Sequence, residues 1–278
     1  MTNLSLPTIA EAFSRTAEKY DQFGDDHPHL ARMRRKVYAH LARFLQPGAR
    51  ILELNAGTGV DAVYFAQHGF RVHATDIAPG MMQRLQDKVE RLGLSDLVTV
   101  QECSFTELGL IQGGPFDAVF SDLGGLNCIP DLMPVIQSLP KVLRADGLVT
   151  WVLMPPICLW ELSLIATGQV RLALRRLSPH GTRAHLEGLY FNVYYFTPAQ
   201  VIAAFGDSYQ PLAVEGLSVI TPTAESKNLA KRFPRFYRAL SWLDDRLSTR
   251  PPWWGWGDFF ILSLRYRSSP DEPRHAAR

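Results

Sequence analysis

Glu53, Gly57, Gly59 and Asp76 are the residues whose types and spacing point to chemistry. Glu53 lies near the end of a short apolar run, Ile51-Leu52-Glu53-Leu54, and the turn Asn55-Ala56-Gly57-Thr58-Gly59 follows directly. Glycine permits a positive φ and lets the backbone approach a ligand closely. Asp76 stands seventeen residues after Gly59, at the end of a second run, Val72-His73-Ala74-Thr75. In an open parallel sheet, ligands bind outside the carboxyl ends of strands, and a carboxylate there can accept hydrogen bonds from both ribose hydroxyls. The combination reads as a nucleoside site.

Two kinds of nucleoside compete for it. Gly57-Thr58-Gly59-Val60-Asp61-Ala62 matches G-x-G-x-x-A, the dinucleotide pattern. A pyrophosphate, however, prefers uncrowded backbone N–H groups at a helix N-terminus, and the Glu53 carboxylate would repel it. A cofactor bearing an ammonium and a sulfonium tolerates or favours an acid at this position.

These residues need a scaffold, and the hydrophobic pattern supplies one. Residues 8–47 read as helical, with Met33, Val37, Leu41, Phe44 and Leu45 at helical spacing and Pro47-Gly48 as the stop. Strands are expected at 50–54, 71–75, 97–101, 116–121 and 148–154, alternating with helices at 61–68, 82–92 and 131–143. That alternation implies a parallel sheet covered on both faces. Residues 155–196 break the pattern and read as a lid over the carboxyl edge. Beyond Thr197-Pro198, a helix start, come a sixth strand at 212–220, a basic helix at 229–247 and a final apolar run at 259–264.

With these elements in place, the chain resembles the class I S-adenosylmethionine-dependent methyltransferases. Glu53, Gly57 and Gly59 match the first motif, with Asn55 standing where the family usually has its first glycine; asparagine is among the residues most tolerant of left-handed geometry. Thr75-Asp76-Ile77 with Met81 matches the second motif. Ser104-Phe105 occupies the adenine-contacting position without the usual acid, 116–122 resembles the fourth motif, and Leu143-Arg144-Ala145-Asp146-Gly147 resembles the loop before strand five. The resemblance covers about residues 10–154 and extends to the closing strand.

It implies an α/β fold: a Rossmann-like, seven-stranded, mostly parallel sheet with helices on both faces, an antiparallel last strand and a helical lid. One domain would span 1–278, with a helical cap (1–47), cofactor core (48–154), lid (155–196), sheet completion with a helical insertion (197–267) and tail (268–278). The cofactor would be S-adenosylmethionine, leaving S-adenosylhomocysteine. Glu53, Asn55, Ala56, Gly57 and Gly59 would surround its methionine part and Asp76 its ribose. Ile77, Met81, Ser104 and Phe105 would meet the adenine, Ser121, Asp122 and Leu123 would lie beside the methyl group, and Tyr20 would close over the site. Sulfonium methyl transfer requires positioning, and a base only if the acceptor must lose a proton. His29 and Tyr195 are candidate bases, and Asn127, Trp160, Glu161, Tyr194 and Tyr195 candidate acceptor contacts.

Composition narrows the partners. With 46% hydrophobic, 20% charged and 11% aromatic residues, the chain is neither disordered nor collagen-like. Net charge is +2, although residues 225–278 carry 11 Lys/Arg against 6 Asp/Glu. Three cysteines without CxxC spacing suit a reducing cytosol and give no metal signature. No secretory or membrane-spanning signal is legible. Asp25-Asp26-His27-Pro28-His29 lacks a second ligand cluster, so no metal is expected. Lys231-Arg232-Phe233-Pro234-Arg235-Phe236-Tyr237-Arg238 could touch nucleic acid or phospholipid, but a helix packed by Phe233, Phe236 and Tyr237 is the simpler reading. The expected partner is a small, apolar or aromatic molecule, with oxygen ahead of nitrogen and carbon as acceptor atom, and with no nucleic acid and no stable membrane insertion. An NAD-dependent oxidoreductase and a non-catalytic cofactor-binding subunit remain the alternatives.

Overall fold

A computed structural model describes residues 6–24, 27–224 and 227–267. Asp25 and Asp26 of the discounted metal motif, and the tail 268–278, lie outside the described residues. Seven strands form the central sheet: β1 (Arg50–Leu54), β2 (Arg71–Asp76), β3 (Val98–Glu102), β4 (Phe116–Ser121), β5 (Leu143–Leu153), β8 (Tyr209–Leu217) and β9 (Phe259–Tyr266). A separate hairpin supplies β6 (Thr182–Leu186) and β7 (Leu189–Val193). The sheet order is β3-β2-β1-β4-β5-β9-β8, and β9 runs antiparallel to both its neighbours.

Continuous apolar runs make the central strands because both sheet faces are covered. Ile51, Leu52 and Leu54 in β1 are fully buried, as are Val149, Trp151, Val152 and Leu153 in β5. Helices α2 (Pro28–Ala42), α3 (Val60–Gln67) and α4 (Pro79–Arg91) contribute to the core on one face. On the other face, α5 (Met133–Ser138) and α8 (Pro198–Phe205) do the same. Thr197 and Gln200 form a capping box at α8, where Pro198 occupies the first turn. β1 pairs with β2 on one side and β4 on the other, so strand order reverses there and a crevice opens at the carboxyl ends.

Several expected boundaries move. The N-terminal helical region is two helices, α1 (Leu6–Gly24) and α2, with the described chain interrupted between them. The expected helix over 131–143 is only α5 followed by a tight turn at Leu139–Lys141, and β5 starts at Leu143. The anticipated loop at 143–147 is instead an irregularity in strand pairing: Phe116 pairs with Leu143 and Ala118 with Leu148, while Asp146 takes a positive φ. β8 begins three residues before the expected strand.

The insertion after β5 holds short helices, α6 (Leu159–Leu162) and α7 (Val170–Ala173), and also the β6–β7 hairpin, which the sequence pattern did not announce. The basic segment is broken by Pro234 into α9 (Lys227–Arg232) and α10 (Pro234–Leu247). Trp253, Trp254 and Trp256 are half-buried, with Trp253 edge-on to Trp256. Among the described residues, no helix is long and apolar enough to cross a membrane.

Candidate active site

The turn after β1 is held in a left-handed conformation by sequence-specific contacts. Asn55, Gly57 and Gly59 have φ of 49°, 55° and 76°. The Asn55 side chain locks the turn to β4: its Oδ1 accepts from Ser121 Oγ at 2.6 Å, and its Nδ2 donates to the Asp122 carbonyl at 3.2 Å. A Cβ at Gly125 would lie 2.3 Å from Asn55, so the loop after β4 needs glycine there. Gly59 opens α3, and a Cβ on it would stand 2.6 Å from Leu85 Cγ. Gly59→Ala should therefore combine left-handed strain with a clash and cost about 2–4 kcal/mol, read as a lower urea midpoint.

Asp76 ties the second strand to this turn. Its Oδ2 accepts from Gly57 N and its Oδ1 from Ala78 N, both at 2.9 Å. Burial raises the Asp76 pKa despite these backbone donors. Thr58 Oγ1 donates to Asp21, which also pairs with Lys88 at 2.9 Å, so the end of α1 is clamped to the turn and to α4. Along α1, a Cβ at Gly80 would sit 2.6 Å from the Ser14 carbonyl. This close approach lays α1 across the crevice.

These elements enclose a cavity of about 240 Å³. One end is polar and acidic: Asp61, Asp76 and Asp122 reach its wall, and Arg34 is the only basic side chain among its described lining residues. Arg34 donates to Asp61 at 3.3 Å, and Tyr38 OH donates to the same oxygen. Glu53 is buried behind the turn, where burial and the charges of Asp61 and Asp122 push its carboxyl well above the usual range. Burial and Asp61 do the same to Asp122. Glu53 Oε2 and Asp122 Oδ2 are buried without a hydrogen-bond partner. Buried carboxylate oxygens are ordinarily paired, and this donor-poor arrangement suits a cationic ligand and disfavours a pyrophosphate.

The other end is apolar. Leu6, Ile9 and Phe13 of α1 face Ala184, Phe191 and Val193 of the hairpin.

A methyltransferase-domain family model matches residues 51–147, the stretch that carries the turn, Asp76 and Asp122. Residues 51–147 are thus a methyltransferase domain of the class I, S-adenosylmethionine-dependent family. The chain is 29% identical to the malonyl-[acyl-carrier protein] O-methyltransferase of Halorhodospira halophila over 165 residues, 55% of this chain and 50% of that protein. It thus matches only half the length of that relative, and less of the two relatives next in similarity. The Escherichia coli tRNA 5-carboxymethoxyuridine methyltransferase is 23% identical over 98% of this chain and all of that protein. Among solved structures, the Burkholderia thailandensis 1,6-didemethyltoxoflavin-N1-methyltransferase, determined with S-adenosylhomocysteine, aligns with TM-score 0.54 at 16% identity, covering 94% of this chain and 88% of that one. S-adenosylmethionine is the cofactor of this family, and the orphaned Asp122 oxygen in the cavity wall fits its cationic end.

Of the residues singled out from sequence, Tyr20, Asn55, Ala56, Gly57, Asp76, Ile77, Met81, Phe105, Asp122 and Leu123 line the cavity. Glu53, Gly59, Ser104 and Ser121 stand behind it; Ser104 caps the short turn at Phe105, accepting from Thr106 N.

The expected acceptor contacts and bases are elsewhere. The Asn127 side chain is occupied by backbone, donating to the Met154 and Tyr194 carbonyls and accepting from Met154 N. Glu161 is bound by Arg175 and Arg176, and the Tyr195 ring lies beneath Arg176. Trp160 and Tyr194 are not in the cavity wall. His29 is buried between Ser218 and Tyr237, and its pKa is lowered to about 4 by burial and by Arg32.

Sequence reading anticipated a helical cap with Tyr20 and a lid over residues 155–196, but did not single out Arg34, Asp61 or the apolar residues of α1 and the hairpin that form the roof. Asp61 stood inside the glycine motif and was the one available clue. Cys128 does line the cavity, but burial, with Asp76 nearby, pushes its thiol up to about 12, so it is a poor nucleophile.

Proposed function

We propose that this protein transfers a methyl group from S-adenosylmethionine to a small apolar or aromatic molecule. The apolar roof carries the reading: Leu6, Ile9, Phe13, Phe191 and Val193 offer contact surface and no charge. When bound, the cofactor supplies an electrophilic methyl group on a sulfonium. Asp122 and the acidic group around it would hold the ammonium end, Asp76 the ribose hydroxyls, and Ile77, Met81 and Phe105 the adenine. Tyr20 and the α1 segment above it would exclude water, while the roof orients the acceptor for in-line attack.

No histidine is among the described lining residues, which favours an acceptor hydroxyl that is acidic in itself, as in a phenol or enol. Oxygen therefore stays ahead of nitrogen and carbon, in keeping with the O-methyltransferases among the relatives. A dinucleotide is disfavoured, because its diphosphate would meet buried carboxylates lacking donors. An RNA acceptor, suggested by the tRNA enzyme among the relatives, would have to reach past α1 and the hairpin.

The test is binding followed by turnover. S-adenosylhomocysteine should raise the melting temperature by several degrees at saturating concentration, and NAD should not. A panel of small phenols and enols should then release S-adenosylhomocysteine. Stabilisation by NAD alone would overturn the cofactor assignment. Turnover with tRNA and with none of the small acceptors would overturn the substrate class.

A further inference from the structure

We infer that the outer face of α9 and α10 docks on an anionic lipid bilayer as a peripheral contact. The reason is an inverted amphipathic helix. In α10, the fully buried residue is an aspartate, Asp244, while Phe236, Trp242 and Leu243 are 55%, 56% and 41% exposed. Phe236, Leu240 and Leu243 follow one another at i, i+4 and i+7, which makes a continuous stripe. Phe233, just before the helix, is 51% exposed and extends it. The packed helix expected from sequence, with Phe233 and Phe236 in the core, is therefore overturned.

The inner polar face explains why the stripe points outward. Asp244 accepts from Arg32 Nη1 at 3.0 Å and from Ile220 N at 3.0 Å. Tyr237 OH bonds His29 Nδ1 at 2.7 Å. These buried polar contacts fix the helix rotation, and the apolar side is left to water.

Charge selects the occupant. Arg232, Arg235, Arg238 and Arg246 border the stripe, with Arg246 3.9 Å above the Trp242 ring and Arg232 5.4 Å from Phe233. The acids of α10 do not offset them: Asp244 is buried, and Asp245 already pairs with Arg32 and Lys36. Aromatic and aliphatic side chains flanked by arginines suit the headgroup–acyl boundary of an anionic membrane. Monomeric proteins seldom leave such a patch uncovered.

A second cavity of about 150 Å³ adjoins the main one. It shares Tyr20, Arg34, Val60 and Leu123 with the main cavity and reaches Ala224, three positions ahead of α9. The inference stands whether or not methyl transfer is the reaction.

Co-sedimentation of the full chain with vesicles tests it. The protein should pellet with phosphatidylcholine–phosphatidylglycerol vesicles and stay in the supernatant with pure phosphatidylcholine. Arg235→Glu with Arg238→Glu, and separately Phe236→Ser with Trp242→Ser, should each lower partitioning about tenfold or more. S-adenosylhomocysteine binding, unchanged in both variants, verifies that they fold. The inference is overturned if wild type ignores anionic vesicles, binds neutral ones equally, or is matched by either variant. A vesicle-free dimer abolished by Phe236→Ser would also overturn it, because the stripe would then be a subunit interface.

Discussion

Asp122→Asn should weaken S-adenosylmethionine binding by about 30- to 100-fold and flatten the dependence of affinity on pH. The carboxyl is buried at the cavity wall, and its Oδ2 has no hydrogen-bond partner. Its pKa stands well above the usual range because burial and the Asp61 charge disfavour the anion. A cation arriving at this oxygen stabilises the anion and lowers that pKa. Binding must then release a proton between the bound and free pKa values, so affinity rises with pH across that window. The magnitude follows from a charge-assisted contact in a buried setting, worth about 2–3 kcal/mol. Calorimetry in two buffers of different ionisation enthalpy reads both the affinity and the proton release. S-adenosylhomocysteine, which keeps the ammonium and lacks the sulfonium, apportions the effect between the two positive groups. An asparagine variant with unchanged affinity and the same proton release would remove Asp122 from the cofactor site.

The parts of this site that could be read from sequence are those built from local signals. Glu53, Asn55, Gly57 and Gly59 occupy one strand end and its turn, where backbone geometry itself demands particular residues. Asp76 follows from the same rule applied to the next strand. A cap and a lid were legible as segments, but the residues of the roof were not, because α1 and the β6–β7 hairpin reach the cavity through long-range packing, and Ile9 and Phe191 meet only in the folded chain. Polar residues after the strands invited a functional reading that the fold uses otherwise. Asn127 satisfies loop carbonyls, and His29 fastens α2 to the segment around Ser218 and Tyr237. In α10 the pattern revealed an amphipathic helix but not its rotation, which is set by Arg32 from another helix.

Arg176→Met should lower stability by about 3–5 kcal/mol, the effect expected when one member of a buried ionic cluster is removed. Arg176 is 4% exposed and serves two carboxylates from distant parts of the chain. It donates to Glu161 Oε1 at 2.6 Å and to Asp258 Oδ1 at 2.7 Å, and its Nη1 donates to the Asp258 carbonyl at 2.8 Å. It thereby fastens the insertion after β5 to the start of β9. Cys158, Glu161 and Asp258 converge closely enough to hold a metal ion, but the guanidinium already occupies the role of the cation. In the native protein, burial alone would raise Glu161, yet Arg175 and Arg176 hold its pKa below the ordinary value, whereas burial outweighs Arg176 at Asp258 and raises it. Without Arg176, burial acts on Asp258 without its counter-ion, whereas Glu161 keeps Arg175. The folded-state pKa of Asp258, already raised by burial, rises further, so the stability deficit is largest at neutral pH and shrinks as pH falls toward the ordinary carboxylate range. Urea denaturation at pH near 7 and near 5 measures this directly. Adding Glu161→Gln and Asp258→Asn to the methionine variant should recover part of the loss, because neutral amides cost less to bury than unpaired anions. A deficit below about 1 kcal/mol, the range of an exposed ion pair, or one independent of pH would mean that this cluster does not anchor the insertion.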